Sequence, residues 1–165
     1  MIPRPLPDDF ISRQPLATWS EIHFGQEKGW VGWRSCINQA IRKIGEIEDP
    51  GETLIELSEA SKESASRVFE LVMDLARSEH FQSESEIKTK WLYIVLSWLY
   101  ENRSAIENPF REIEILYADF DYPDEIEAFV AFMPPKDGWR PGEHSQLENR
   151  ERMQRLWQEF LEGKK

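Results

Sequence analysis

Residues 91–100 read WLYIVLSWLY, and nine of the ten are aliphatic or aromatic. No other window of the chain approaches this density. The run sits inside a longer helical pattern, from about Glu84 to Arg103, with apolar residues pointing in nearly every direction. Such a helix is buried on most sides. Only Thr89, Tyr93, Ser97 and Tyr100 form a mildly polar stripe, where tyrosine rings are buried while their hydroxyls reach partners or water. At ten residues the apolar run is about half of the ~20 that a membrane span needs. It is therefore read as the post of a helical core.

Working outward from this post, apolar residues recur at three-and-four spacing. Trp33, Cys36, Ile37, Ala40, Ile41 and Ile44 predict an amphipathic helix over about 32–46. Ala65, Val68, Phe69, Val72, Leu75 and Ala76 predict another over about 62–78. Asn108 and Pro109 open a helix that buries Phe110, Ile113, Leu116, Tyr117 and Phe120. Tyr122-Pro123-Asp124-Glu125 restarts the chain as a short helix carrying Ile126, Phe129, Val130 and Met133. The last helix buries Met153, Leu156, Trp157 and Phe160.

Capping boxes stand at Thr18–Glu21, Ser83–Glu86 and Ser145–Glu148, where side chain and backbone satisfy each other's free donors. Asp49-Pro50-Gly51-Glu52 offers a further start, with Asp49 as N-cap and Pro50 as first helical residue. The helix that follows, to about Ala60, has only Leu54, Ile55 and Leu57 to bury. Residues 1–17 hold four prolines and are expected to run extended over the surface. Residues 136–144 form the longest loop. Strand signals are poor, with only three threonines and no sustained alternation. The expectation is an all-α fold of seven or eight helices in a single domain, which suits 165 residues.

Seven Trp, nine Phe and four Tyr supply the core, while 31% charged residues solvate the surface. A lone cysteine, Cys36, excludes an internal disulfide and suits a reducing compartment. The N-terminus MIPRPLPDD lacks the apolar run of a signal peptide. A cytoplasmic protein is expected.

Net charge is −11, and its placement is uneven. Six acids and no base lie between Gly45 and Ala60. Seven acids and no base lie between Glu112 and Glu127. Setting these thirteen aside, the rest of the chain carries 18 acids against 20 bases. Two short segments thus hold all the excess. Their field repels nucleic acid and anionic membranes and attracts a basic protein.

The sharpest candidate is Tyr117–Glu127, YADFDYPDEIE, where Asp119, Asp121, Tyr122, Asp124, Glu125 and Glu127 would make an electrostatic and aromatic contact. The bland alternative is a solvated corner between helices whose acids cap and complement a helix dipole. A calcium loop is disfavoured, since no glycine supplies the sharp turn and Pro123 breaks the spacing. In the other segment Glu48, Asp49 and Glu52 are candidates for the same partner, against the plainer reading of a solvated helix. Trp139, in a Gly/Pro loop beside Arg140, is either a contact anchor or a lid folded on the core.

His23, His80 and His144 lack ligand spacing, and Cys36 lies in a core stripe. No zinc, phosphate-loop or nucleophile-elbow motif occurs, so no cofactor, metal or catalytic residue is expected.

Three stretches resemble a known family: TWSEI at 18–22 with Gly25 and Gly29-Trp30, YADFDYPDEI at 117–126, and FVAFMP at 129–134. They resemble small bacterial proteins catalogued only as a domain of unknown function, over nearly the whole chain. The resemblance implies an immunity protein of contact-dependent or polymorphic toxin systems, and brings no catalytic residues. Immunity proteins against nuclease toxins are often acidic and occlude a basic active site, which agrees with the charge pattern. The expected function is neutralisation of a basic toxin by direct contact. A small carboxylate- or metal-dependent enzyme using residues 117–127 and a structural or regulatory helical subunit are the alternatives. Homo-oligomer formation is left open.

Overall fold

The computed structural model describes residues 1–163. Among them are eight α-helices and four short 3-10 turns, with no strand. The helices are α1 (Asp8–Ser12), α2 (Trp19–Glu27), α3 (Trp33–Ile44), α4 (Gly51–Ser58), α5 (Ala65–Arg77), α6 (Glu84–Glu101), α7 (Pro109–Asp119) and α8 (Gln146–Gly163). The all-α expectation is met. The chain divides into two compact units, residues 2–87 and residues 88–165 with Met1.

In the first unit α5 packs across α2, α3 and α4, while α1 lies on α3. Cys36, Ala40, Leu57, Val68 and Val72 are fully enclosed. Helix α2 begins where the sequence says. Thr18 accepts from the Glu21 N–H, and the Glu21 carboxylate, itself buried, accepts from the backbone of Ala17 and Thr18 and from Gln82 Nε2. Burying this carboxylate is tolerable because donors surround it.

Three local expectations are corrected in this unit. Residues 1–17 are not simply extended on the surface. They contain α1 and bury Ile2, Leu6, Phe10, Ile11 and Leu16. The early prolines bar a helix only up to Pro7, the N-cap, and the spacing of Leu6, Phe10 and Ile11 then rewards one turn. Asp49 is not the cap of α4: Pro50 holds that place without a side-chain bond, and Gly51 has φ +77°. A left-handed glycine inside the supposed first turn moves the true start one residue on. Finally, Ile41, Ile55 and Phe69 lie outward although their spacing placed them in the core.

In the second unit Trp91, Ile94, Val95, Leu96 and Leu99 of α6 are fully enclosed, and Tyr93, Ser97 and Tyr100 are half-buried, matching the polar stripe. Trp157 of α8 gathers the aromatic core. Its ring meets Tyr100 at 5.0 Å and Phe110 at 6.0 Å, and stacks on Phe129 at 6.4 Å. The restart after Pro123 is a 3-10 turn, Asp124–Phe129, in place of the expected short α-helix to Met133. It packs on α8 through buried Ile126 and Phe129. Ser145 and Glu148 form the expected reciprocal cap of α8.

Candidate functional site

The two acidic segments fall in different units. The corner after α7 is shaped by its helix end. Tyr122 N–H donates to Tyr117 O at 2.8 Å, and Asp121 N–H to Ala118 O at 3.2 Å. These are the paired bonds of a Schellman ending. Its left-handed position, the usual place of glycine, is taken by Asp121 at φ +60°, and Tyr122 follows at φ +57°. The reversal turns the Tyr122 ring edge-on to Tyr117 at 5.2 Å, with Phe132 5.8 Å from the same ring. Tyr122 and Phe132 stay largely exposed.

Much of the charge at this corner is used by the fold. Lys88 Nζ lies 3.2 Å from the Asp121 carboxylate, and the Met1 amino group 3.2 Å from that of Glu112. Glu127 is largely enclosed, with a side chain 15% exposed. It accepts from Tyr117 Oη at 3.2 Å and from Lys136 Nζ at 2.7 Å. The hydrogen bond from Lys136 holds the Glu127 carboxyl below the usual glutamate range, and the lysine is raised in turn. Burial, then the Glu127 charge, pushes the Tyr117 hydroxyl up. Asp119, Asp124 and Glu125 are exposed.

Beside Glu127 lies a cleft of about 300 Å³, lined among others by Asp124, Lys136, Asp137 and Arg152. Arg152 is buried and donates to Asp137 Oδ2 at 2.6 Å, which holds the Asp137 carboxyl low. Trp139 lies nearby, half-buried and folded inward. Its ring stacks on His144 at 3.7 Å and 9°, its Nε1 donates to Asn149 at 2.9 Å, and the Arg152 guanidinium sits 5.1 Å from its centroid. No spacing in the sequence announces Arg152–Asp137 or Lys136–Glu127; the first joins α8 to the loop before it, and the second joins that loop to the 3-10 turn.

The acids of residues 45–60 stand differently. Glu46, Glu48, Asp49, Glu52, Glu56 and Glu59 are all exposed. Arg67 pairs with Glu56 at 2.9 Å, and among the described residues the other five have no ion-pair partner. The nearest bases in sequence are turned elsewhere. Arg42 donates to Ser12 O at 3.3 Å and Lys43 to Ala17 O at 2.7 Å. This segment is the least neutralised part of the described surface that the sequence singled out.

Among the described residues no group of three His, Cys, Asp or Glu is arranged to hold a metal. No helix among them is long and apolar enough to cross a membrane. Cys36 is enclosed, and burial, followed by the charge of Asp8, pushes its thiol up to about 12. His23 is tied to Glu27 at 2.9 Å and its ring lies 5.5 Å from Phe69.

Neither a curated protein nor a solved structure matches the chain significantly. A bacterial family match spans residues 8–165. The chain therefore belongs to the family described as an uncharacterised protein conserved in bacteria, DUF2247.

Proposed function

We propose that this protein binds a basic protein partner by direct contact and neutralises it, as an immunity protein does its toxin, in the bacterial cytoplasm. One observation carries the reading: five exposed acids between Glu46 and Glu59 have no ion-pair partner among the described residues. Like charges crowded in this way repel one another and add nothing to folding stability. An outward field of this kind instead speeds encounter with a cationic surface. A nuclease toxin suits it well, because a groove that holds phosphates must itself be basic. Exposed Asp124, Glu125 and Tyr122 in the other unit add a second acidic surface of mixed aromatic character.

The test is stopped-flow association with a toxin domain encoded beside this reading frame, at rising salt. Glu48→Lys with Asp49→Lys and Glu52→Lys should slow association about tenfold or more at low salt. Asp124→Lys with Glu125→Lys measures the other unit. Association indifferent to salt and to both sets of reversals removes the reading.

The cleft beside Glu127 supports a second reading, a carboxylate-dependent enzyme. Its chemistry points the other way. Glu127 and Asp137 are both pinned in ion pairs and held low, whereas acid–base work near neutrality needs a carboxyl raised towards the working pH. Titration calorimetry with magnesium, calcium, manganese and zinc ions tests it directly.

A further inference from the structure

The connection between α3 and α4 leaves three isoleucines outside. Ile41 is 55% exposed on α3, Ile47 46% exposed in the connection and Ile55 41% exposed on α4. Single exposed apolar residues are ordinary. Three within one short helical hairpin are more than that. Helices α3 and α4 pack together. Ile41 lies about one turn before the end of α3, and Ile55 about one turn after the start of α4. The three side chains therefore belong to the same end of the hairpin. They are not spare core residues, because Ile37 and Ala40 of α3 and Leu54 and Leu57 of α4 already fill the inward faces.

The same end of the hairpin is acidic, with Glu46, Glu48, Asp49 and Glu52 exposed and unpaired among the described residues. We infer that this end of the α3–α4 hairpin docks a basic amphipathic helix of a partner protein. The apolar side of that helix covers Ile41, Ile47 and Ile55, and its lysines or arginines meet Glu48, Asp49 and Glu52. Charge decides against a second copy of this chain, since a two-fold contact would set this acidic end against itself. Recognition by strand addition is disfavoured, as the described residues offer no sheet edge. The inference rests on the acidic-binding reading and assigns it a face, a partner element and a contact mode.

The test uses a fluorescein-labelled leucine–lysine peptide of about five helical turns, its scrambled isomer and an oligolysine of equal charge, read by anisotropy. The amphipathic peptide should bind about tenfold more tightly than its scrambled isomer. Ile41→Ser with Ile55→Ser should erase that advantage and lower Tm only slightly, because both residues are about half exposed. Equal affinity for the two isomers, or an advantage that survives the double substitution, overturns the docking face. If the double variant changes nothing while Glu48→Lys, Asp49→Lys and Glu52→Lys abolish salt-sensitive binding, only the docking face falls. If no basic peptide binds, or binding is unchanged by these reversals and by Asp124→Lys with Glu125→Lys, the acidic-binding reading falls with it.

Discussion

Trp157 shows how one side chain serves the C-terminal unit. It is fully enclosed and meets Tyr100, Phe110 and Phe129 from three other segments. Its Nε1 has no hydrogen-bond partner among the described residues. Trp157→Ala should cost about 3–5 kcal/mol, because a ring-sized hole opens where its neighbours cannot collapse. Trp157→Phe should cost much less, since the group it deletes includes a donor already unsatisfied. Urea unfolding of both variants checks this, and equal losses would deny the packing role. Cys36 supports a second residue-scale prediction. With its thiol pushed up to about 12 by burial, almost no thiolate is present at neutral pH. A disulfide reagent should leave the native protein unmodified and label it fully in denaturant. Rapid labelling of the folded protein would contradict this.

At the scale of elements, helices with strong caps and stripes were legible, and reversals were not. Thr18, Asn108 and Ser145 each cap the helix that their spacing promised. The end of α7 was hidden, because an aspartate occupies the left-handed place normally marked by glycine. Asp121→Val should destabilise the protein by about 1–2 kcal/mol, since a β-branched side chain is strained at that φ. Asp121→Gly should not show a comparable loss, as it removes the strain along with an exposed ion pair of small value. Thermal unfolding of the pair distinguishes backbone strain from the Lys88 contact. The tie between the 3-10 turn and its following loop has a pH signature. Glu127 is held below its ordinary value in the fold. Its contribution is therefore present above about pH 4.3, the unfolded value, and is lost as the pH falls below that. Lys136→Met should flatten this part of the stability–pH curve, whereas an unchanged curve would remove the pair from the account.

For the molecule as a whole, charge placement matters more than charge number. In the C-terminal segment at least three of the seven acids are engaged, Asp121 by Lys88, Glu127 by Lys136 and Glu112 by the amino terminus. Those of the N-terminal segment are mostly not. With a net charge of −11, self-repulsion should dominate the salt response. Raising ionic strength from about 0.01 M to about 0.15 M shortens the screening length from about 30 Å to about 8 Å. Tm should rise across that range, and a fall would mean that attractive pairs prevail.

The sequence by itself determined the helical class, the starts of α2, α3, α6, α7 and α8 and the burial of most of residues 91–99, because caps and periodicity act within one or two turns. It also located the two base-free acidic segments. Tertiary packing alone decided which acids are neutralised, since Lys88, Lys136 and Arg152 reach their carboxylates across separate elements. It decided too that Ile41 and Ile55 face outward while Leu6 and Phe10 are buried. A helix can present a wide apolar stripe, but only its neighbours determine how much of that stripe is covered.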